Sequence, residues 1–161
     1  MIHERSPFSL ANRPQQPNAD LEVVDKFSDA VVARVALADA KTLDQAIAAA
    51  ADAAAPMRRM GSWQRKAVLK HLFARCEERR DELAEVLVVE AGKPIQFAKG
   101  EVARLLDTIE IAVEESTRIM GELLPLDTTQ RAAGYRGMWQ RVPVGPCAFI
   151  TPWNFPLNLV A

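Results

Sequence analysis

The residues with most to offer chemically lie in Thr151-Pro152-Trp153-Asn154-Phe155-Pro156 of this 161-residue chain. Each proline fixes its own φ and disfavours the α region for the residue before it. Thr151 and Phe155 are therefore expected to be extended, and Trp153-Asn154 between them has little freedom. Asn154 is the polar side chain that this rigid platform presents, and its amide can donate two hydrogen bonds. A fixed amide aimed at a developing oxyanion stabilises a tetrahedral intermediate, and losing one such donor slows a reaction by roughly 100- to 1000-fold. Turn chemistry alone leaves a second role open, the capping of a helix that starts near Leu157.

Other nucleophiles and ligands are scarce. Cys147 opens the apolar run Cys147-Ala148-Phe149-Ile150, with no histidine or carboxylate close in sequence. Burial in such surroundings raises a thiol pKa, so a packed, inert core cysteine is expected. Cys76 falls on the apolar stripe of a helix and receives the same reading. His71 is expected on a surface or between helices, and His3 has no role. Neither histidine stands at ligand spacing from a cysteine, so the pattern gives no metal site and no disulfide framework. Reduced thiols fit a cytoplasmic protein.

These residues need elements to hold them. Leu21–Val24 and Val31–Leu37 read as a strand pair around a Ser28-Asp29 turn. A helix is expected from Thr42, where Thr42 and Gln45 stand at capping-box spacing and Asp44 adds negative charge to the first turn. Its alanine-rich run ends or bends at Pro56. A second helix is expected over Ser62–Ala91, with Leu69, Leu72, Phe73, Cys76, Leu83 and Leu87 on one stripe. Its charged run Glu77–Glu82 reads as a solvated face with local ion pairs, and Gly92 and Pro94 stop it. A third helix spans about Gln96–Met120, with a stripe of Val102, Leu105, Leu106, Ile109, Val113, Ser116 and Met120, closed by Gly121 and Pro125. Asp127–Ala133 is a polar connector, and Tyr135–Val142 reads as a strand. Cys147–Ile150 fits a strand buried on both faces, which belongs to α/β folds; ligands of open α/β sheets bind at the carboxyl ends of such strands. Trp63 is expected to anchor the second helix in the core. Trp139 is either an ordinary half-buried strand aromatic or an interface residue.

Composition narrows the class. Hydrophobic residues make up 49% and charged residues 25%, the balance of a globular protein. With 20 basic and 21 acidic residues the net charge is -1, so no basic surplus recruits nucleic acid or anionic lipid. No apolar run is long enough to span a bilayer. Residues 1–20 are polar and proline-bearing, lack the apolar core of a secretory signal, and are expected to form a mobile arm rather than a strap on a partner surface.

The stretch Val142-Pro143-Val144-Gly145-Pro146-Cys147-Ala148-Phe149-Ile150-Thr151-Pro152-Trp153-Asn154-Phe155-Pro156-Leu157 resembles the pattern that the NAD(P)-dependent aldehyde dehydrogenase superfamily carries around its conserved asparagine. Upstream, Glu90-Ala91-Gly92-Lys93-Pro94 and Gly100-Glu101-Val102 resemble further family elements, so the likeness covers nearly everything after Leu21. It implies an α/β fold: the N-terminal portion of the aldehyde dehydrogenase fold, mostly helical here, with a strand pair, an oligomerisation-type strand containing Trp139, and the first strand of a Rossmann-like sheet. It divides the chain into an arm (1–20), a strand pair plus helices of the cofactor-binding domain (21–126), a connector and oligomerisation-type strand (127–145), and the start of the Rossmann-like sheet (146–161).

By the same resemblance Asn154 is the side-chain oxyanion donor, and Ile150, Thr151, Pro152 and Trp153 line the site of NAD or NADP. The implied reaction is attack of a cysteine thiolate on a small aldehyde, then hydride transfer from the hemithioacetal to NAD(P)+. Release follows by a glutamate-activated water or, in CoA-acylating relatives, by coenzyme A. The family's nucleophilic cysteine, general-base glutamate and ribose-binding lysine lie beyond Ala161, so the 161 residues alone are expected to be inactive, and their unpaired strand edges and apolar faces to lie open. A homo-oligomer, dimer or tetramer, is implied for the full-length protein. The competing reading is a non-enzymatic helical interaction module, or an inactive remnant that keeps the ancestral sequence.

Overall fold

The computed structural model describes residues 5–16, 18 and 21–161. Among them, three short strands precede the expected pair: β1 (Arg5–Ser6), β2 (Phe8–Leu10) and β3 (Arg13–Gln15). The expected pair is β4 (Leu21–Val24) and β5 (Val31–Val35). They are antiparallel with an irregularity between Val23 and Val24, and β1 lies parallel on the other edge of β5. β2 and β3 form a separate hairpin turned by Ala11 and Asn12, both at positive φ. The described part of residues 1–20 is thus paired rather than a free arm. Asn18 adds to this by accepting from the Leu37 amide at 2.8 Å. An otherwise open β5 edge supplies backbone partners that no composition rule reveals. His3 lies outside the described residues.

Helix α1 (Ala40–Arg59) begins earlier than expected. Asp39, not Thr42, is its N-cap and accepts from the Thr42 amide (2.8 Å) and hydroxyl (2.6 Å). Asp44 therefore falls outside the first turn. Pro56 neither ends α1 nor sits at its boundary. It deprives only the exposed Asp52 carbonyl of a donor, one turn from the helix end, where water can substitute.

The long second helix is two: α2 (Ser62–Glu78) and α3 (Arg80–Ala91), joined at Arg79, whose φ of -105° and ψ of 19° leave the helical region. The break places Asp81 and Glu82 in the first turn of α3, where negative charge meets unpaired amides. The surrounding charges pair locally, Arg79 with Glu82 at 2.8 Å and Arg80 with Glu77 at 3.3 Å, as expected of a solvated face. Gly92 ends α3 in the left-handed region, as its position before Pro94 suggests.

Helix α4 (Ile95–Glu115) carries the core. Val102, Leu105, Leu106, Ile109 and Val113 are buried against Leu69, Phe73 and Cys76 of α2 and Leu83 and Leu87 of α3. It stops short of Met120, which is exposed. The hydroxyls of Ser116 and Thr117 donate to the carbonyls of Val113 and Glu114, competing with further helical bonds.

The chain then forms a hairpin, β6 (Glu122–Pro125) and β7 (Arg136–Trp139), with a short 3-10 turn over Gln130–Ala132 between them. β6 was not expected. Pro125, which reads as a helix stop, is accommodated at the end of a two-stranded ribbon. Trp139 is half-exposed and donates its Nε1 to Glu122 at 3.1 Å. Trp63 does not anchor a core: it is 72% exposed, beside Gly61 at the start of α2.

Cys147–Ile150 does not form the expected buried strand. It has no assigned secondary structure and no strand partner, and Cys147 is exposed rather than packed, with its thiol 3.5 Å from the Gly145 carbonyl. A parallel strand needs neighbours to bond and cover it, and no described strand lies beside this one. Phe149 is 85% exposed and Ile150 fully so.

Candidate functional site

The turn after this run is tied to the helical core by side chains far away in sequence. Leu157 packs against both apolar clusters of α2, α3 and α4. Glu101, on the buried stripe of α4, has a fully buried carboxylate. That carboxylate accepts from the amides of Leu157 (2.9 Å) and Asn158 (3.4 Å), and Lys93 pairs with its other oxygen. Lys93 also donates to the Asn154 carbonyl at 2.9 Å and places its ammonium 4.4 Å from the Phe155 ring centroid. Thr108 bonds Asn158 at 3.1 Å. Residues 155–159 make a single helical turn, closed by Leu159 donating to the Phe155 carbonyl at 3.1 Å.

Glu101, rather than Asn154, accepts from the amides of Leu157 and Asn158 in this turn. The Asn154 side chain makes no hydrogen bond among the described residues and stands exposed. Lys93 reaches the turn because Gly92, at φ 64°, reverses the chain between α3 and α4. The left-handed φ favours glycine at position 92, and an added side chain would also press on Lys26 at 3.0 Å.

Burial pushes the Glu101 carboxyl up. The Lys93 ammonium and the amides of Leu157 and Asn158 outweigh it and hold the group below its ordinary value of 4.5. The unfolded chain then binds this proton more tightly than the folded one. The contribution is complete above pH 4.5 and is lost as pH falls through the lower folded value. Unfolding midpoints of the intact protein should therefore drop on acidification below pH 4.5, and Glu101→Gln should remove part of that slope. An identical slope in the variant would show that other carboxylates account for it.

A groove of about 600 Å³ opens between the start of α4 and this turn, lined by Phe97, Gly100, Arg104, Trp153, Asn154 and Phe155 among others. Trp153 is 85% exposed, and Thr151 and Pro152 are exposed. The five residues singled out in the sequence lie consecutively on one open ledge. Lys93 and Glu101, which hold the ledge, stand 61 and 56 residues away from the groups they bind and have no local signal of that role. A carboxylate on the same stripe as Ala98, Val102 and Leu105 signals only that Glu101 is buried. His71 is exposed, and Cys76 is half-buried in the helical core. Among the described residues no cluster of His, Cys, Asp and Glu could hold a metal ion, and no helix is long and apolar enough to cross a membrane.

The profile of the aldehyde dehydrogenase family matches residues 13–161. A 3-sulfolactaldehyde dehydrogenase of Priestia aryabhattai is 34% identical over 87% of this chain and 29% of its own length. The crystal structure of aldehyde dehydrogenase 21 from Physcomitrella patens, in complex with its reaction product succinate, superposes with a TM-score of 0.94 at 44% identity, over 98% of this chain and 33% of that one. The structure of PnpE in complex with nicotinamide adenine dinucleotide gives 0.87 at 29% identity, over 98% and 32%. The chain thus spans about a third or less of the proteins it resembles, but nearly all of it is matched, in sequence and in fold. The proline-bracketed turn, the helical layer that holds it and these matches together place the chain in the aldehyde dehydrogenase family.

Proposed function

We propose that the intact protein carrying this chain oxidises an aldehyde with NAD+ or NADP+, and that Asn154 donates its side-chain amide to the oxyanion formed at the aldehyde carbon. One observation carries the reading. Asn154 stands on a turn held by Lys93 at its own carbonyl and by Glu101 at the Leu157 and Asn158 amides, while its side chain stays free. A donor held in advance stabilises developing charge without reorganising during the reaction.

Ile150, Thr151, Pro152 and Trp153 would hold the cofactor. Ile150 and Trp153 offer exposed apolar surface, and Thr151 and Pro152 between them are exposed. That set fits a flat heteroaromatic carboxamide. When bound, the nicotinamide accepts hydride from the substrate carbon. The cysteine nucleophile and the glutamate that activates water belong, on this reading, to sequence beyond Ala161.

Residues 21–126 and 146–161 belong to the cofactor-binding domain, and 127–145 to an oligomerisation segment. Leu123 and Met138, opposed across the β6–β7 hairpin and both exposed, support a homo-oligomer, dimer or tetramer. A cytoplasmic location fits the free thiols. The relatives named for 3-sulfolactaldehyde and holding succinate support an aldehyde that bears a second, anionic group. The intact protein should reduce NAD+ or NADP+, followed by nicotinamide absorbance, when given such an aldehyde. No reduction with either cofactor, across anionic and neutral aldehydes, would overturn the reading.

A further inference from the structure

We infer that the groove between the end of α1, the start of α2 and the segment after β7 is a second binding site, for a phosphate monoester with a flat apolar body. The groove encloses about 750 Å³ and shares no lining residue with the one beside Asn154. Three arginines line it, Arg58, Arg65 and Arg141, and no acidic residue does. None of the three has a carboxylate partner among the described residues, whereas Lys66 and Arg118, each one position from a lining residue, pair with Glu114 and Glu115.

The helix ends do not account for this charge. Arg58 falls in the last turn of α1 together with Arg59. The negative end of a helix amounts to about half an elementary charge, less than either arginine carries. Arg65 stands in the first turn of α2, where the helix end is itself partly positive and no acidic residue offsets it. Its Nη1 donates to the Met60 carbonyl at 2.7 Å, while its Nε is buried with no partner among the described residues. A buried donor without an acceptor is costly, and an oxyanion in the groove supplies one. Arg141 is held separately, its guanidinium carbon 5.7 Å from the Trp139 ring centroid. That stacking steadies the fork and leaves its N–H groups to a ligand.

Charge and shape together select the ligand. A carboxylate brings one negative charge, whereas a phosphate monoester brings roughly one and a half to two on three acceptor oxygens, the closer match to three guanidinium groups. Away from the arginines the walls are apolar, Ala50 and Ala54 on α1 and Val142, Pro143 and Pro146 on the later segment. Short and rigid side chains of this kind leave a slot for a ring. At Gly145 an added Cβ would meet nothing within 4 Å, so the slot is open there.

The test is a calorimetric titration of the intact protein, in saturating NAD+ or NADP+, with phenyl phosphate, inorganic phosphate and phenol. Phenyl phosphate should bind once per chain, inorganic phosphate about 10-fold more weakly for want of the ring, and phenol not at all. Arg58→Leu and Arg141→Leu should each weaken phenyl phosphate by about 10- to 100-fold. Thermal unfolding without ligand reports whether the variants are folded. No binding of phenyl phosphate to wild type, or equal affinity in wild type and both variants, would overturn the site. Phenol binding as tightly as phenyl phosphate would do the same, since charge would then play no part. None of these outcomes touches the proposed reaction.

Discussion

Asn154→Ala in the intact protein is expected to lower kcat by about 100- to 1000-fold, or roughly 2.7–4 kcal/mol, while the affinity for NAD(P)+ changes little. The separation follows from geometry. The turn is fixed by the Asn154 carbonyl and by the amides of Leu157 and Asn158, none of which the substitution removes. The ledge from Ile150 to Trp153 keeps its backbone. What disappears is a donor needed only once charge has developed on the substrate oxygen. Steady-state kinetics together with cofactor titration measure both quantities. A parallel loss in the two would mean that Asn154 merely shapes the turn.

Lys93→Met should have the next largest effect, on stability first. Glu101 would remain fully buried with two amide donors but no counterion. Removing one member of a buried pair typically costs about 3–5 kcal/mol, because the remaining charge is uncompensated. The Asn154 carbonyl would also lose its donor, so kcat should fall as well. Lys93→Met combined with Glu101→Leu removes both charges and should recover part of the stability without recovering kcat. Denaturant midpoints and kcat of the intact variants separate these effects. Full recovery of kcat in the double variant would limit the pair to a structural role. If Asn154 is the oxyanion donor, Lys93 and Glu101 act through the turn, as positioning residues.

The legible parts of the fold were those set by neighbours in sequence. Prolines on both sides of Trp153-Asn154 fix a turn whatever surrounds it, and the stripe from Val102 to Val113 marks the face that α4 buries. Gly92 before Pro94 marked a helix end, and the structure puts it in the left-handed region. Other features escape for two reasons, a competing local signal or a partner far away in the chain. Arg79 interrupts a continuous helical pattern because the acidic pair after it favours a fresh N-terminus. Asp39 captured the first helix three residues ahead of Thr42. Cys147–Ile150 has the composition of a buried strand, yet burial depends on strands that only distant sequence can supply. Asn154 was visible because its constraint is local, whereas Lys93 and Glu101 act across 61 and 56 residues of chain.

The unpaired run at Phe149 and Ile150 bears on how the protein is made. Its helical support, and Leu157 plugged into it, use only residues present in these 161. Chains emerge from the ribosome N-terminus first, at about 5–20 residues per second. In a protein of the relatives' length, the turn would be assembled on the order of tens of seconds before synthesis of the chain ends, and a few seconds before the next strand of a βαβ unit emerges. Throughout that interval the run is an apolar template for any passing strand. The earliest part of the proposed site to form would thus also be an exposed apolar edge until a later strand covers it.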